Sequence, residues 1–285
     1  MNNLPPLNVA GLLRTHGLSP KKSLGQNFLV DSTALERIVE SAELPTDSAV
    51  LEVGPGLGSL TRYLAHAARR VVAVELDATL IPLLEDVLGG LSNVEIIHGD
   101  ILELDPARMM GQDGYHVVAN IPYYITSNLI RHLLEAPLKP ARLVLTVQRE
   151  VAERITAKPG DMSLLALSVQ VYGRPRVAAR IPAGAFYPPP KVDSSAVRVD
   201  LFPEPVIPSG QLNTFFSLAK AGFGQKRKTL RNSLSGGLGL SGEQAAGLLQ
   251  SAEIDPMRRA ETLSIEEWKT LTTVYTSSRG NTGQA

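Results

Sequence analysis

The stretch "LEVGPGLGSLT", residues 51–61, joins an apolar run to a helix-like pattern through a glycine-rich turn. Glycines at 54, 56 and 58 allow the backbone to turn sharply and to approach a ligand closely. The spacing G-x-G-x-G differs from the G-x-G-x-x-G dinucleotide fingerprint, and the Lys and Ser/Thr of a phosphate-binding P-loop are missing. The stretch therefore suits a nucleoside-bearing ligand without requiring phosphates. Alone, it fits a glycine turn with no ligand equally well.

Strand-like and helix-like segments alternate on both sides of this turn. Asp31 and Thr126 are suitable N-caps for two of the helices. Strands that alternate with helices of this length predict an α/β fold with a parallel sheet covered on both faces. The predicted strands are 48–54, 70–76, 93–99, 115–120, 142–148, 163–173 and 194–202, and the predicted helices are 31–42, 58–68, 78–88 and 126–136.

A change in character after residue 204 suggests a second domain. The proline-rich segment 203–210 is typical of a linker, and the helical patterns beyond it are punctuated by Gly and Pro. We expect a first domain over 1–204, which includes an N-terminal extension, and a small all-helical domain over 205–276. Residues 277–285 are expected to be a disordered tail.

Composition excludes several classes of site. The chain has 285 residues and no cysteine, which removes disulfides, thiolate metal ligands and a cysteine nucleophile. The five histidines form no metal-binding pair, so no metal site is expected. No apolar run of 18 residues and no signal-peptide pattern is present, so a soluble cytoplasmic protein without membrane association is expected.

The net charge of zero argues against strong binding of nucleic acid, but the charges are unevenly distributed. Three segments contain basic residues and no acidic ones, which predicts a polarised surface unless they are simply solvated loops. Their basic residues are Arg14, Lys21 and Lys22; Arg174, Arg176, Arg180 and Lys191; and Lys220, Lys226, Arg227, Lys228 and Arg231.

Polar residues end the strands that follow the glycine loop. Glu75 lies 21 residues after Gly54, where such folds place a carboxylate that accepts hydrogen bonds from ribose hydroxyls. Asp100 ends the next strand and could accept the exocyclic amine of an adenine, and Asn120 ends the one after it. Each alone could be a cap or a turn residue. Because ligands bind at the carboxyl ends of parallel strands, we expect all four to cluster.

The segment "NIPY", residues 120–123, has a specific chemical use. The amine of adenine is a poor nucleophile because its lone pair is delocalised into the ring. Acceptors such as the Asn120 side-chain oxygen and the carbonyl of Ile121 or Pro122 favour a tetrahedral nitrogen, and Tyr123 could stack on the base. The alternative is a proline turn with packed tyrosines, and the sequence does not decide between Tyr123 and Tyr124 for the stacking ring.

Together, these motifs resemble the small-subunit (16S) ribosomal RNA adenine N6,N6-dimethyltransferases, over residues from about 10 to about 275. Members often have Leu where this chain has Ile121, a conservative change. The motifs that carry the resemblance are "SLGQNFLVD" (23–31), "LEVGPGLGSLT" (51–61), "VVAVELD" (71–77), "GD" (99–100), "NIPYYITS" (120–127), "QREVAERI" (148–155), "FYPPPKVDS" (186–194) and "FGQKRKTLRNSL" (223–234).

The resemblance implies a Rossmann-like class I S-adenosylmethionine-dependent methyltransferase domain with a small helical C-terminal domain. It implies that Asn120, Pro122 and Tyr123 hold the target amine and base. Phe186 would close on the other face of the adenine, although a core phenylalanine fits that position equally well. The implied contacts to S-adenosylmethionine are Asn27, Leu29, Gly54, Gly56, Glu75, Asp100 and Asn120.

The implied reaction is dimethylation of two adjacent adenines in the 3′-terminal hairpin loop of small-subunit rRNA. The expected partner is rRNA within an immature 30S particle, late in ribosome biogenesis, and the expected state is a monomer. A target adenine must be splayed out of its loop, and nearby cations would bind the phosphates. The expected RNA-binding residues are Lys21, Lys22, Lys220, Lys226, Arg227, Lys228 and Arg231.

Three other functions remain open from the sequence. Large-subunit rRNA dimethyltransferases share the methyltransferase motifs, but "FYPPPKVDS" and the basic C-terminal segment favour the small subunit. A non-catalytic assembly factor would not need an intact glycine loop, Glu75 and "NIPY". A small-molecule methyltransferase would leave the basic helical domain without a role.

Overall fold

The computed structural model describes residues 4–121 and 125–282. The strands of the described chain form a two-stranded sheet, β1–β8, and a seven-stranded sheet. Their bounds are β1 Phe28–Leu29, β2 Ala49–Val53, β3 Arg70–Glu75, β4 Val94–His98, β5 His116–Asn120, β6 Arg142–Gln148, β7 Gly173–Ile181, β8 Phe186–Tyr187 and β9 Ser194–Leu201.

The large sheet has the order β4-β3-β2-β5-β6-β9-β7. Strands β4, β3, β2, β5 and β6 run parallel, and β9 pairs antiparallel with β6. Chain order reverses between β2 and β5, since β3 and β4 lie on one side and β6 on the other. In a sheet of this kind, a crevice opens outside the carboxyl ends of the strands at the reversal. This confirms the predicted α/β fold.

Helices precede or connect most of the strands and form the C-terminal part of the chain. Their bounds are α1 Val9–Thr15, α2 Ser32–Ala42, α3 Ser59–Ala67, α4 Ile81–Leu88, α5 Pro106–Met110, α6 Thr126–Glu135, α7 Arg149–Ile155, α8 Leu164–Gln170, α9 Leu212–Phe223, α10 Leu230–Leu238, α11 Gly242–Ser251 and α12 Ile265–Thr282. Among the described residues, no helix is both long enough and apolar enough to cross a membrane.

The central strands and α2 show why the core forms here. Every residue of β2 is buried, as expected for a parallel strand with both faces covered. Asp31 caps α2 by accepting a hydrogen bond from Ala34 N at 2.7 Å, as predicted. The apolar face of α2, with Leu35, Ile38 and Val39, packs in the same cluster as Val50 of β2.

Two local predictions are wrong. Thr126 is the first residue of α6, and the N-cap is Ile125 without a side-chain hydrogen bond. Residues 163–173 were expected to be a strand, but Leu164–Gln170 form α8, which is capped by Ser163 accepting from Ala166 N at 3.1 Å. An apolar run of this length fits either a buried helix or a buried strand, and the cap decides for the helix.

The chain divides into two compact units, one up to Ala152 together with Pro175–Leu201, and the other Glu153–Arg174 with the chain from Phe202 onward. The second unit therefore takes in α8, which the division at 204 assigned to the first domain. Helix α12 continues to Thr282, so the expected tail at 277–285 is helical over its first residues.

Candidate active site

A cavity of about 320 Å³ lies in the first unit, at the carboxyl ends of β2, β3 and β5. One wall is the segment that leads into and includes β1, from Leu24 to Leu29. All the residues expected at the cofactor line this cavity: Asn27, Leu29, Gly54, Gly56, Glu75, Asp100 and Asn120. The expectation that strand-end residues distant in sequence would cluster is therefore met by the geometry.

The glycine loop is bent toward the cavity by left-handed backbone conformations. Gly54 and Gly56 have φ of 69° and 59°, values that side chains disfavour. A Cβ atom at Gly56 would lie 2.8 Å from the Phe28 ring, so the loop and the β1 wall approach as closely as glycine allows. Gly54 N donates to Val74 O at 2.9 Å, which ties the loop to β3.

Glu75 connects the glycine loop to the end of β3. Its Oε2 accepts a hydrogen bond from Gly56 N at 2.9 Å, and its Oε1 accepts from Asp77 N at 2.8 Å. Burial raises the pKa of Glu75, and these backbone hydrogen bonds oppose that shift. Each carboxylate oxygen keeps a further lone pair for a ligand hydroxyl.

Asp77 follows Glu75 and gathers several donors. Its Oδ1 accepts from Lys21 Nζ at 2.6 Å, and its Oδ2 accepts from Gln26 Nε2 at 2.8 Å. Thr79 donates to the same Oδ1 from its amide and its hydroxyl. Lys21 was expected to bind RNA, but its ammonium group is paired with this carboxylate.

Glu52 was missed by the sequence analysis. It is the last but one residue of β2, is 1% exposed, and lines the cavity. Burial raises the pKa of Glu52 to about 8; the Thr61 hydroxyl opposes this shift, and the nearby Glu75 carboxylate adds to it. Its Oε2 has no hydrogen-bond partner within the described chain. The signal in the sequence is a single glutamate within "AVLEV", since burial of a carboxylate in a strand is unfavourable unless the group is paired, protonated or used for a ligand.

Asn120 and Asn27 join the end of β5 to the β1 wall. Asn120 Nδ2 donates to Asn27 O at 3.1 Å, and Asn27 Nδ2 donates to Gly25 O at 3.1 Å. Because the amide nitrogen of Asn120 is used in this way, its side-chain oxygen is the atom left to accept from a ligand. Asp100 Oδ1 accepts from Leu102 N at 2.9 Å, which fixes that carboxylate at the end of β4.

Of the other residues expected at the target base, the structure describes only Phe186. Pro122 and Tyr123, together with Tyr124, lie outside the described residues. For Phe186 the sequence left two roles open, closing on the adenine or packing in the core. Its side chain is 4% exposed and packs in the core cluster with Leu29. In this arrangement its ring is a core element, because the β1–β8 pairing turns Phe186 inward and leaves Tyr187 40% exposed.

Comparison with known families identifies the chain. The model for the family "Ribosomal RNA adenine dimethylase" matches residues 17–275. The chain belongs to this family.

Two relatives match along nearly the whole chain. Ribosomal RNA small subunit methyltransferase A of Dehalococcoides mccartyi (strain CBDB1) is 50% identical over 93% of this chain and 91% of its own length. The protein of the same name from Pelotomaculum thermopropionicum is 44% identical over 96% and 98%.

Solved structures agree in fold. The crystal structure of 23S rRNA methyltransferase ErmE matches with a TM-score of 0.71 and 30% identity, covering 87% of this chain and 99% of that one. A dimethyladenosine transferase from Plasmodium falciparum matches with a TM-score of 0.76 and 24% identity, covering 88% and 98%. The Rossmann-like class I fold is therefore confirmed.

As a member of this family, the chain is an S-adenosylmethionine-dependent rRNA adenine dimethyltransferase. The cavity fits this cofactor in size, since small-molecule sites occupy about 300–1,000 Å³. It also fits in chemistry: Glu75 offers carboxylate oxygens at a strand end, Gly56 leaves room for close backbone approach, and Glu52 has an unpartnered polar oxygen.

The other residues expected to bind RNA carry exposed charges. Lys22, in the first unit, is exposed in a 3₁₀ turn, Lys22–Leu24. In the second unit, Lys226, Arg227 and Lys228 are exposed in the loop between α9 and α10. Lys220 is exposed in the last turn of α9, and Arg231 Nε donates to Gly242 O at 3.1 Å.

Proposed function

We propose that this dimethyltransferase modifies N6 of two adjacent adenines in the 3′-terminal hairpin loop of small-subunit rRNA. The choice of the small subunit is supported by relatives named for it, which match over more than nine-tenths of both chains. The observation that carries the chemistry is Asn120 at the end of β5, on the wall of the cavity.

Asn120 would act as an acceptor for the target amine. Its Nδ2 is held by Asn27 O, so the carboxamide is oriented before any substrate arrives. The free oxygen would take one amine hydrogen, which favours a tetrahedral nitrogen whose lone pair is available for attack. Positioning of this kind can contribute about 7–11 kcal/mol to lowering a barrier. No strong general base is needed, since a methylated aryl ammonium is acidic.

The cofactor contacts follow from the placement of the cavity residues. S-adenosylmethionine supplies an electrophilic methyl group on its sulfonium. Glu75 would accept the ribose hydroxyls, and Asp100 would accept the amine of the cofactor's adenine. The backbone around Gly54 and Gly56, with Asn27 and Leu29 on the opposite wall, would enclose the rest of the molecule.

The target base would be held by the segment that continues from Asn120. Pro122 and Tyr123 are proposed for this role from the sequence: a carbonyl as the second acceptor and a ring that stacks on the base. Stacking of a base on an aromatic ring is worth roughly 1–3 kcal/mol.

The RNA around the target would be bound electrostatically. Lys226, Arg227 and Lys228 occupy one exposed loop without acidic neighbours in sequence, which suits a phosphate backbone. We propose that the substrate is rRNA in an immature 30S particle in the cytoplasm, and that the enzyme acts as a monomer.

Methyl transfer from labelled S-adenosylmethionine tests this function. The purified chain is incubated with unmodified small subunits, large subunits and naked small-subunit rRNA, and the modified nucleotides are mapped. We expect label on two adjacent adenines near the 3′ end of small-subunit rRNA, with the particle preferred over naked RNA. Label on large-subunit RNA alone would instead favour the activity named for ErmE, and preference for naked RNA would refute the particle as substrate.

A further inference from the structure

The wall that closes one side of the cavity is a short segment attached by side chains. Lys21 to Gln26 form a tight turn, with Gln26 N and Leu24 N donating to Lys21 O, and Gly25 has φ of 63°. The side chain of Gln26 folds back on the same turn, since Lys21 N donates to Gln26 Oε1 at 2.7 Å. The turn is therefore a preformed unit that must be fixed to the body of the domain.

Asp77 is the point of attachment. It receives Lys21 Nζ at 2.6 Å and Gln26 Nε2 at 2.8 Å, so both ends of the turn meet one carboxylate. Thr79 Oγ1 also accepts from Lys21 Nζ at 3.0 Å. These bonds join residues that lie 51 to 58 positions apart in the chain.

Charge and burial make this attachment more than a surface ion pair. The Asp77 side chain is 4% exposed, whereas that of Lys21 is 41% exposed. Burial opposes ionisation of Asp77, but the hydrogen bonds from Lys21, Thr79 and Gln26 outweigh it and lower the pKa of Asp77 to about 2. Removal of Lys21 would leave a buried carboxylate without its counter-ion, which would destabilise this arrangement of the turn.

The same residue reaches the cofactor side of the cavity. Asp77 N donates to Glu75 Oε1, and Glu75 in turn holds Gly56 N. The wall, the strand-end carboxylate and the glycine loop are therefore connected through Asp77.

We propose that Lys21, Gln26 and Asp77 form a latch that holds the wall from Leu24 to Leu29 in its cofactor-binding position. Lys21 is then a positioning residue for S-adenosylmethionine and not a phosphate contact for RNA. When the latch is broken, the wall occupies the competent position for a smaller fraction of time, and the apparent affinity falls by that fraction.

The neighbouring lysines provide a matched comparison. Lys21→Met and Lys22→Met remove the same charge from adjacent positions, and only Lys21 contacts Asp77. Binding of S-adenosylhomocysteine is measured by calorimetry without RNA. We expect Lys21→Met to raise Kd by roughly fivefold or more, Lys22→Met to leave Kd unchanged, and Lys21→Arg to restore most of the affinity.

Further variants separate the latch from a general loss of structure. Asp77→Asn should raise Kd, and the double variant with Lys21→Met should be less impaired than the product of the two single effects. Thr79→Ala removes the two hydrogen bonds of the Thr79 hydroxyl, to Asp77 and from Lys21, but keeps the Lys21–Asp77 ion pair, so it should raise Kd by less than Lys21→Met. An unchanged Kd for Lys21→Met, or equal losses for Lys21→Met and Lys22→Met, would overturn the latch. Because no RNA is present, this outcome is independent of which rRNA the enzyme methylates.

Discussion

Glu52 occupies a position where a charge is difficult to maintain. It is fully enclosed in β2, its pKa is raised by burial from 4.5 to about 8, and the adjoining Glu75 is also a carboxylate. The folded protein therefore binds a proton that the unfolded chain releases above pH 4.5. The contribution of Glu52 to the free energy of unfolding is at its maximum below pH 4.5 and is lost as the pH rises toward 8.

Glu52→Gln should remove this pH dependence. Glutamine has nearly the same shape and no charge, so the variant should gain stability relative to the parent between pH 5 and 8. The gain is on the order of 1.4 kcal/mol for each pH unit in this window. Urea unfolding of both proteins at several pH values measures it. Parallel stability curves would show that Glu52 is ionised in the folded protein.

Asn120 gives a prediction that separates chemistry from binding. Asn120→Ala removes the acceptor proposed for the target amine but leaves Glu75 and the glycine loop intact. We expect methylation of small-subunit rRNA to fall at least a hundredfold, an effect typical of a positioned catalytic group. Binding of S-adenosylhomocysteine should stay at least partly intact, although the variant loses the hydrogen bond from Asn120 Nδ2 to Asn27 O. Single-turnover methylation and calorimetry provide the two measurements. Near-normal activity would exclude the proposed role of Asn120.

Elements whose burial sets their composition were the most predictable from the sequence. Parallel strands such as β2, β5 and β6 are covered on both faces, so their apolar runs identify them. Strand β7, "GRPRVAARI", was missed because its largely exposed residues give neither an apolar run nor an alternating pattern. The apolar segment 163–173 was misassigned because its length fits either a buried strand or the helix α8.

The loop between α9 and α10 is the element that we expect to bind RNA. Replacement of Lys226, Arg227 and Lys228 by Ala should weaken substrate binding and flatten its salt dependence. For single-stranded RNA, the slope of log K against log salt concentration should change by about 0.7 for each phosphate that the variant no longer neutralises. Filter binding from low to high salt measures the slope. Lys269→Ala, which removes one charge from α12, serves as a control for a single lost charge outside the loop. An unchanged slope in the triple variant would exclude the loop.

At the scale of the whole molecule, the position of the cavity could be predicted because all parallel sheets of this kind share the same arrangement of strand ends. Parallel strands place their carboxyl ends at one edge, so Gly54, Glu75, Asp100 and Asn120 had to meet there. The latch at Asp77 could not be predicted in this way, and for Phe186 the sequence did not decide between the pocket and the core. Both depend on contacts between segments far apart in sequence, for which no local pattern exists.

The cavity residues all belong to the first of the two units, so cofactor binding should slow hydrogen exchange in that unit. A ligand that binds only the folded state stabilises it by about 2.7 kcal/mol at a concentration of 100 Kd. With S-adenosylhomocysteine bound, hydrogen exchange should slow at segments 24–29, 52–60 and 99–102. Helices α9 to α12 should exchange at unchanged rates, because they contribute no residue to the cavity wall. Mass spectrometry of peptides with and without the ligand measures the exchange rates of the cavity segments and of helices α9 to α12. Protection confined to α9–α12 would mean that the cofactor binds elsewhere.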